Sequence, residues 1–300
     1  MFKGGNLRQL FIMNKSVFFL LIITFFLLSC QQQPETKPAE ITSPKRQKRK
    51  TYTYQVANAK EWLSQHKTDS FHTAIAYAVN RTDSANFTKL DSVIVPADLT
   101  GELAFYLPFP LEVASLKDIN KIIYFSYPTQ TFAAYEKGIL VYAGPTNMGR
   151  KKDTTPTGLF FTNWKAEETI STFNDEWELR WNFNIQNKEG IGWHQYALPG
   201  YPASHSCLRL QEKDAKYLYN WADEWEVSED DSVQVKGTPV IVFGTYNFDG
   251  PKPWLQLVAN PKALDIKEEE IETLTAPFLN EIISVQKSRD TLQLKEPQTK

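Results

Sequence analysis

Cysteine is almost absent from this chain: there are two in 300 residues, Cys30 and Cys207. That excludes a disulfide framework, and each thiol then needs its own explanation. An excess of either charge is missing as well, with 33 basic residues against 35 acidic ones. A dedicated nucleic-acid binder normally shows a basic domain, so no nucleic-acid partner is expected. No internal repeat is visible, and seventeen prolines and thirteen glycines exclude collagen and coiled coil. The apolar run near the N-terminus, Val17–Leu28, has twelve residues broken only by Thr24. A bilayer of roughly 30 Å needs about 20. What remains is a chain of 300 residues, enough for one or two domains.

Lys15 precedes the apolar run, as a basic n-region precedes the h-region of a secretory signal peptide. The run ends Leu27-Leu28-Ser29-Cys30, which resembles the lipobox of bacterial lipoproteins. The resemblance implies cleavage after residue 29 and lipidation of Cys30; an uncleaved membrane anchor is the alternative. Met13 is an alternative start. Removing residues 1–29 takes away Lys3, Arg8 and Lys15 and no acid, leaving a net charge of −5. Residues 30–51 read as a flexible, polar, proline-bearing tether. Its end, Lys45-Arg46-Gln47-Lys48-Arg49-Lys50, suits either anionic lipid headgroups or plain solvation. A bacterial cell envelope location follows, lipid-anchored to a membrane. The absence of Asp after Cys30 is compatible with the outer membrane, facing the periplasm.

Residues 52–118 form a small subdomain by their texture. Helical periodicity spans 57–65 and 71–80, with Trp62, Leu63, Ala74, Ile75 and Ala78 as core contacts. Leu90–Pro96 reads as a short strand closed by proline. The stretch from Ala78 to Pro96 faintly resembles the second half of a LysM repeat; a plain helical subdomain is the competing reading. His66 and His72 are read as ordinary histidines. From Lys121 the pattern turns to β. Ile122–Phe125 is a strand, and Thr131–Tyr135 with Ile139–Ala143 forms a hairpin whose turn puts Gly138 at positive φ. Thr155-Pro156-Thr157-Gly158 turns into a strand at 159–163. Ala215, Leu218, Tyr219, Ala222 and Trp225 share a helical face, and 237–243 closes the region as a strand. The tail, 248–300, offers a helix near 264–274.

The chemistry gathers around the second cysteine. Gly190-Ile191-Gly192-Trp193-His194-Gln195 is followed by Ser204-His205-Ser206-Cys207-Leu208-Arg209. Two of the four histidines stand within thirteen residues of Cys207. The thiolate is the nucleophile, and free cysteine at a pKa of about 8.5 is mostly thiol at neutral pH. An imidazole can take that proton and return it to a leaving amine. His205, two residues from Cys207, would share its face in an extended segment, whereas His194 approaches from another strand or loop. Arg209 offers a planar cation suited to a carboxylate. Two other readings compete: a buried cysteine serving as a small apolar residue, and zinc held by His194, His205 and Cys207. The lack of further cysteines argues against a closed metal site, and no metal or cofactor is expected.

This stretch resembles the active-site signature of the L,D-transpeptidase (YkuD-like) family: a His, a spacer, then Ser-His-Gly-Cys, an apolar residue and Arg. The hairpin, Thr155–Gly158 and Gly237-Thr238-Pro239-Val240 resemble family elements in the family's order, over about 120–244. The resemblance implies a mainly β fold with α (α+β): a β-sandwich catalytic domain at 119–247, preceded by the small mixed α/β subdomain. It implies a peptidoglycan L,D-transpeptidase acting in cell-wall biogenesis. The thiol would attack the bond between the third stem residue and the terminal D-alanine of a tetrapeptide, and a second stem's amine would resolve the thioester into a 3–3 cross-link. By position Cys207 is the nucleophile and His194 the base, its imidazole oriented by a backbone carbonyl. His205 and Ser204 shape the turn, the Ser206 and Cys207 amides form the oxyanion hole, and Arg209, Ser204 and Trp193 meet the substrate. Water as acceptor would instead make an L,D-carboxypeptidase. A catalytically silent peptidoglycan-binding lipoprotein is the reading from a different class.

One position departs from the signature: Ser206 stands where glycine is usual, and serine tolerates positive φ poorly. Gln195 also fills a position that is often small. Among Trp164, Trp177, Trp181 and Trp193, most are expected in the core and one or two along a groove. Asp175, Glu176 and Glu178 are acids at short spacing without the arrangement that glycoside hydrolysis needs.

Overall fold

The computed structural model describes residues 49–171 and 177–295. The expected signal sequence, Cys30 and nearly all of the expected tether lie outside the described residues, as do Asp175 and Glu176. Residues from Arg49 onward make one compact unit, in which no described helix is long and apolar enough to cross a membrane.

The chain begins with β1 (Tyr54–Asn58), α1 (Ala59–His66), α2 (Ser70–Val79), the short α3 (Ser84–Phe87) and β2 (Ser92–Pro96). Asn58 ends β1 and caps α1, its side chain accepting from the Glu61 amide at 3.0 Å. Asp69 caps α2 in the same way through the Phe71 and His72 amides, each at 3.0 Å. β1 and β2 then pair antiparallel from Tyr54 opposite Pro96 to Asn58 opposite Ser92. Helical periodicity is expected from Ala57, but Ala57 and Asn58 end β1, and the helix begins only after the Asn58 cap. Ala76 and Val79 are buried more deeply than the expected Ala74.

Next come β3 (Lys121–Ser126), β4 (Thr131–Glu136), β5 (Ile139–Pro145), β6 (Gly158–Phe161), β7 (Lys165–Ile170), β8 (Glu178–Gln186), β9 (Ile191–Gln195) and β10 (Leu208–Leu210). After α4 (Glu212–Trp221) follow the small hairpin β11 (Glu226–Val227) and β12 (Val233–Val235), then β13 (Pro239–Phe243), α5 (Glu268–Thr275) and α6 (Leu279–Lys295). Two sheets carry the fold: a five-stranded one in the order β5-β4-β3-β13-β6, and a four-stranded one in the order β10-β9-β8-β7. The β4–β5 turn puts Lys137 and Gly138 at φ 47° and 79°, the twist a tight hairpin wants.

β3 and β13 explain their own composition. Ile123, Phe125, Val240 and Val242 face the four-stranded sheet and meet Phe183, Trp193, Leu208 and Leu210. Ile122, Tyr124, Ile241 and Phe243 point the other way and are covered by Ile266, Ile271 and Ile282 from the tail. Strands buried on both faces read as continuous apolar runs. The C-terminal residues are therefore half of a core. Their helix starts at 268 instead of 264, and α6 was not expected at all. Ala222 and Trp225 fall outside α4, which stops at Trp221.

Candidate active site

β10 lies parallel to β9, with Leu208 opposite Trp193, Arg209 opposite His194 and Leu210 opposite Gln195. Leu208, Leu210 and Trp193 are fully buried between the sheets, each aliphatic contributing roughly 2 kcal/mol. Alternation along the strands then turns Cys207, Arg209, Gly192 and His194 to the opposite face. That face is the floor of a cleft of 460 Å³, a size typical of small-ligand sites. Cys207, His194, Ser204, His205, Ser206 and Arg209 all line it, with Asp153, Trp177, Glu189, Ile191 and Tyr196.

Trp193 is corrected by this register. It is 0% exposed and packs between Phe125, on which it stacks, and the tilted Phe183 ring, so it supports the floor and cannot touch a substrate. Its neighbour in sequence, His194, takes the outward position. Trp177 is the tryptophan that reaches the cleft, its ring 5.0 Å from that of His205. Trp181 packs on Tyr219, and Trp164 bonds Asn187 at 3.1 Å; neither lines the cleft.

His194 is 5% exposed, and its Nδ1 lies 3.0 Å from the Gln195 carbonyl oxygen. A carbonyl only accepts, so Nδ1 carries the proton and Nε2 is left as the free base. Burial, aided by Arg209, drives the imidazole pKa down to about 4 against the pull of the Gln195 bond. Burial pushes the Cys207 thiol up, although the Gly192 amide and Arg209 favour the thiolate. The resting pair is therefore neutral thiol and neutral imidazole. The thiol is turned toward the Gly190 carbonyl, 3.9 Å away.

The remaining residues frame this pair. Ser204 is 1% exposed and fixed by its backbone: its amide donates to Met148 at 3.1 Å and its carbonyl accepts from Arg150 at 2.9 Å. His205 is exposed at the cleft wall, its pKa lowered first by partial burial and then by Arg150. Arg209 lays its guanidinium over the Tyr196 ring at 4.3 Å. Ser206 has φ +79°, the left-handed conformation that the signature's glycine would take freely. No group of three or more metal-binding side chains occurs among the described residues.

Tyr196, Asp153 and the Gln195 carbonyl were not singled out in the sequence. Tyr196 and Gln195 follow His194 directly, which is the signal that could have found them. Asp153 carries none.

The fold and site define a class: a two-sheet sandwich with a histidine on β9 and a cysteine just before the parallel strand β10, both lining one cleft. Residues 120–242 match the family model described as YkuD, the L,D-transpeptidase catalytic domain. No curated protein matches. Among solved structures, an L,D-transpeptidase from Stackebrandtia nassauensis shares 23% identity over 42% of this chain and 57% of its own, at a TM-score of 0.35. One from Mycobacterium smegmatis shares 20% over 42% and 59%, at 0.34. A mutant Enterococcus faecium L,D-transpeptidase shares 21% over 41% and 50%, at 0.32. The chain thus spans less than two thirds of each of these proteins.

Proposed function

We propose that this protein is a peptidoglycan L,D-transpeptidase working through a Cys207 thioester. The observation that carries the reading is the β9–β10 register, which sets Cys207 and a base-competent His194 on one face of one cleft. In the first half-reaction, the Cys207 sulfur attacks the carbonyl between the third stem residue and D-alanine while its proton passes to Nε2 of His194. The amides of Ser206 and Cys207 receive the oxyanion. The imidazolium then gives that proton to the leaving amine, and D-alanine departs with the C–N bond broken and the thioester formed. In the second half-reaction an amine of another stem loses a proton to His194 and displaces the thiolate, giving a 3–3 cross-link and the free thiol.

Arg209, spread on Tyr196 beside the nucleophile, is the cation for a substrate carboxylate. A broader depression of 700 Å³ lies beyond Tyr196, lined by Tyr77, Gln211 and Lys216 among others. Two depressions meeting at one ring suit a reaction that brings two stems together, which favours transfer over hydrolysis. Lipidation at Cys30 and the tether would place the domain at the envelope, within reach of the wall.

The test is intact mass after incubation with a carbapenem, a class the family resemblance implies will acylate this cysteine. An adduct absent from Cys207→Ala supports the reading, and muropeptide analysis then separates cross-links from trimmed stems. A folded protein without an adduct would favour the silent wall-binding lipoprotein.

A further inference from the structure

The nucleophile turn is held from outside by one loop, residues 147–155. The Ser204 backbone pairs with Met148 and Arg150. Beyond it the Thr155 hydroxyl accepts from the Gly149 amide at 2.9 Å and donates to the Ser206 carbonyl at 2.8 Å. A hydroxyl has one proton and two lone pairs, so these bonds fix each other's direction. The Ser206 hydroxyl in turn donates to the Asp153 carbonyl at 3.3 Å. The loop is tight enough to need Gly149: a Cβ there would stand 2.1 Å from the Asp153 carbonyl oxygen. Tyr127 closes it with a 2.5 Å bond to the Gly149 carbonyl. Thr155 itself is 3% exposed.

The Ser206 carbonyl and the Cys207 N–H belong to one planar peptide. A group that fixes the oxygen therefore aims the N–H. At φ +79° serine is strained, and such a conformation persists only where the surroundings over-determine it. Thr155 and Asp153 are the surroundings that do so.

We propose that Thr155 is a positioning residue for the acyl transfer. Its hydroxyl orients the Ser206–Cys207 peptide so that the Cys207 amide faces the developing oxyanion. With the Ser206–Asp153 bond, it replaces the freedom that glycine would give this turn. The inference rests on Cys207 being the nucleophile.

The experiment uses the full chain and two readouts at Cys207. One is the limiting rate of carbapenem acylation, which needs an oxyanion hole; the other is alkylation by iodoacetamide, which does not. Thr155→Val should slow acylation by roughly tenfold or more, leave alkylation within about twofold, and be rescued by Thr155→Ser. The Thr155→Val loss should shrink several-fold in a Ser206→Gly background, where the turn needs no clamp. If Thr155→Val does not fold, Ser206→Ala tests the outer clamp with the same split. Equal slowing of both reactions, an unaffected acylation rate, or no rescue by serine would each overturn the proposal. A wild-type chain that alkylates but never acylates would overturn the transpeptidase reading first and this one with it.

Discussion

His194 Nδ1 donates to the carbonyl of Gln195, the next residue in its own strand, at 3.0 Å. The bond selects the tautomer with Nε2 unprotonated, and burial holds the imidazole neutral down to about pH 4. Carbapenem acylation of Cys207 should therefore stay level from about pH 5.5 to 8 and fall only near pH 4. A half-maximal point near 6.5, the ordinary value for imidazole, would mean that His194 is exposed in solution and not the base described. His194→Gln should cost roughly 10²–10⁴-fold in rate.

The same histidine enters a stability balance with Asp214, buried in the first turn of α4. Burial raises the Asp214 pKa to about 6, with Tyr142 donating to its Oδ1 at 2.8 Å. Its folded value lies above its unfolded one, so its contribution is full below about pH 4 and lost as pH rises through 6. His194 runs the other way: its folded value is depressed, so stability is lost as pH falls from about 6.5 toward 4. The two slopes oppose each other. In Asp214→Asn the aspartate's slope is removed, and Tm of the variant minus wild type should grow more positive between pH 4.5 and 7. Calorimetry across that range checks it; a constant difference would sink the assignment to Asp214.

Much of the sheet was legible because β3 and β13 are buried on both faces and so are written in unbroken apolar residues. The site was legible through residue types close together, His194 and the stretch from Ser204 to Arg209. The orientation of Trp193 was not, since it depends on which strand β9 pairs with, and its parallel partner β10 lies beyond an irregular loop. α6 escaped because its inward stripe is sparse, with Ile282 fully buried among largely polar neighbours. The Thr155 bond to Ser206 spans 51 residues, and no local pattern encodes it.

Asn147 offers a test of that loop. It is 1% exposed. Its side chain accepts from the Ala203 amide at 3.2 Å and donates to the Tyr201 carbonyl, while its backbone exchanges both bonds with Arg209. Asn147→Ala would strip two backbone groups of their partners just before the nucleophile turn. A loss of about 1–3 kcal/mol is expected, read from the midpoint of urea unfolding, together with slower acylation. An unchanged midpoint would mean that the loop is held by its backbone pairs alone.

Arg81 tests how the N-terminal elements are joined to the catalytic sheet. Its side chain is 1% exposed, donates to the Thr129, Ala78 and Val79 carbonyls at 2.7–2.8 Å, and lies over the Trp254 ring at 5.4 Å. One guanidinium thus touches the end of α2, the β3–β4 connection and the C-terminal segment. A methionine would keep much of the apolar stem and leave all three carbonyls without this donor. Arg81→Met should cost on the order of 3 kcal/mol and expose the 80–90 segment to protease before the catalytic sheet unfolds. If urea unfolding kept its midpoint and proteolysis its pattern, the junction would be carried by the apolar contacts around Ile75 and Trp254, with the guanidinium a passenger.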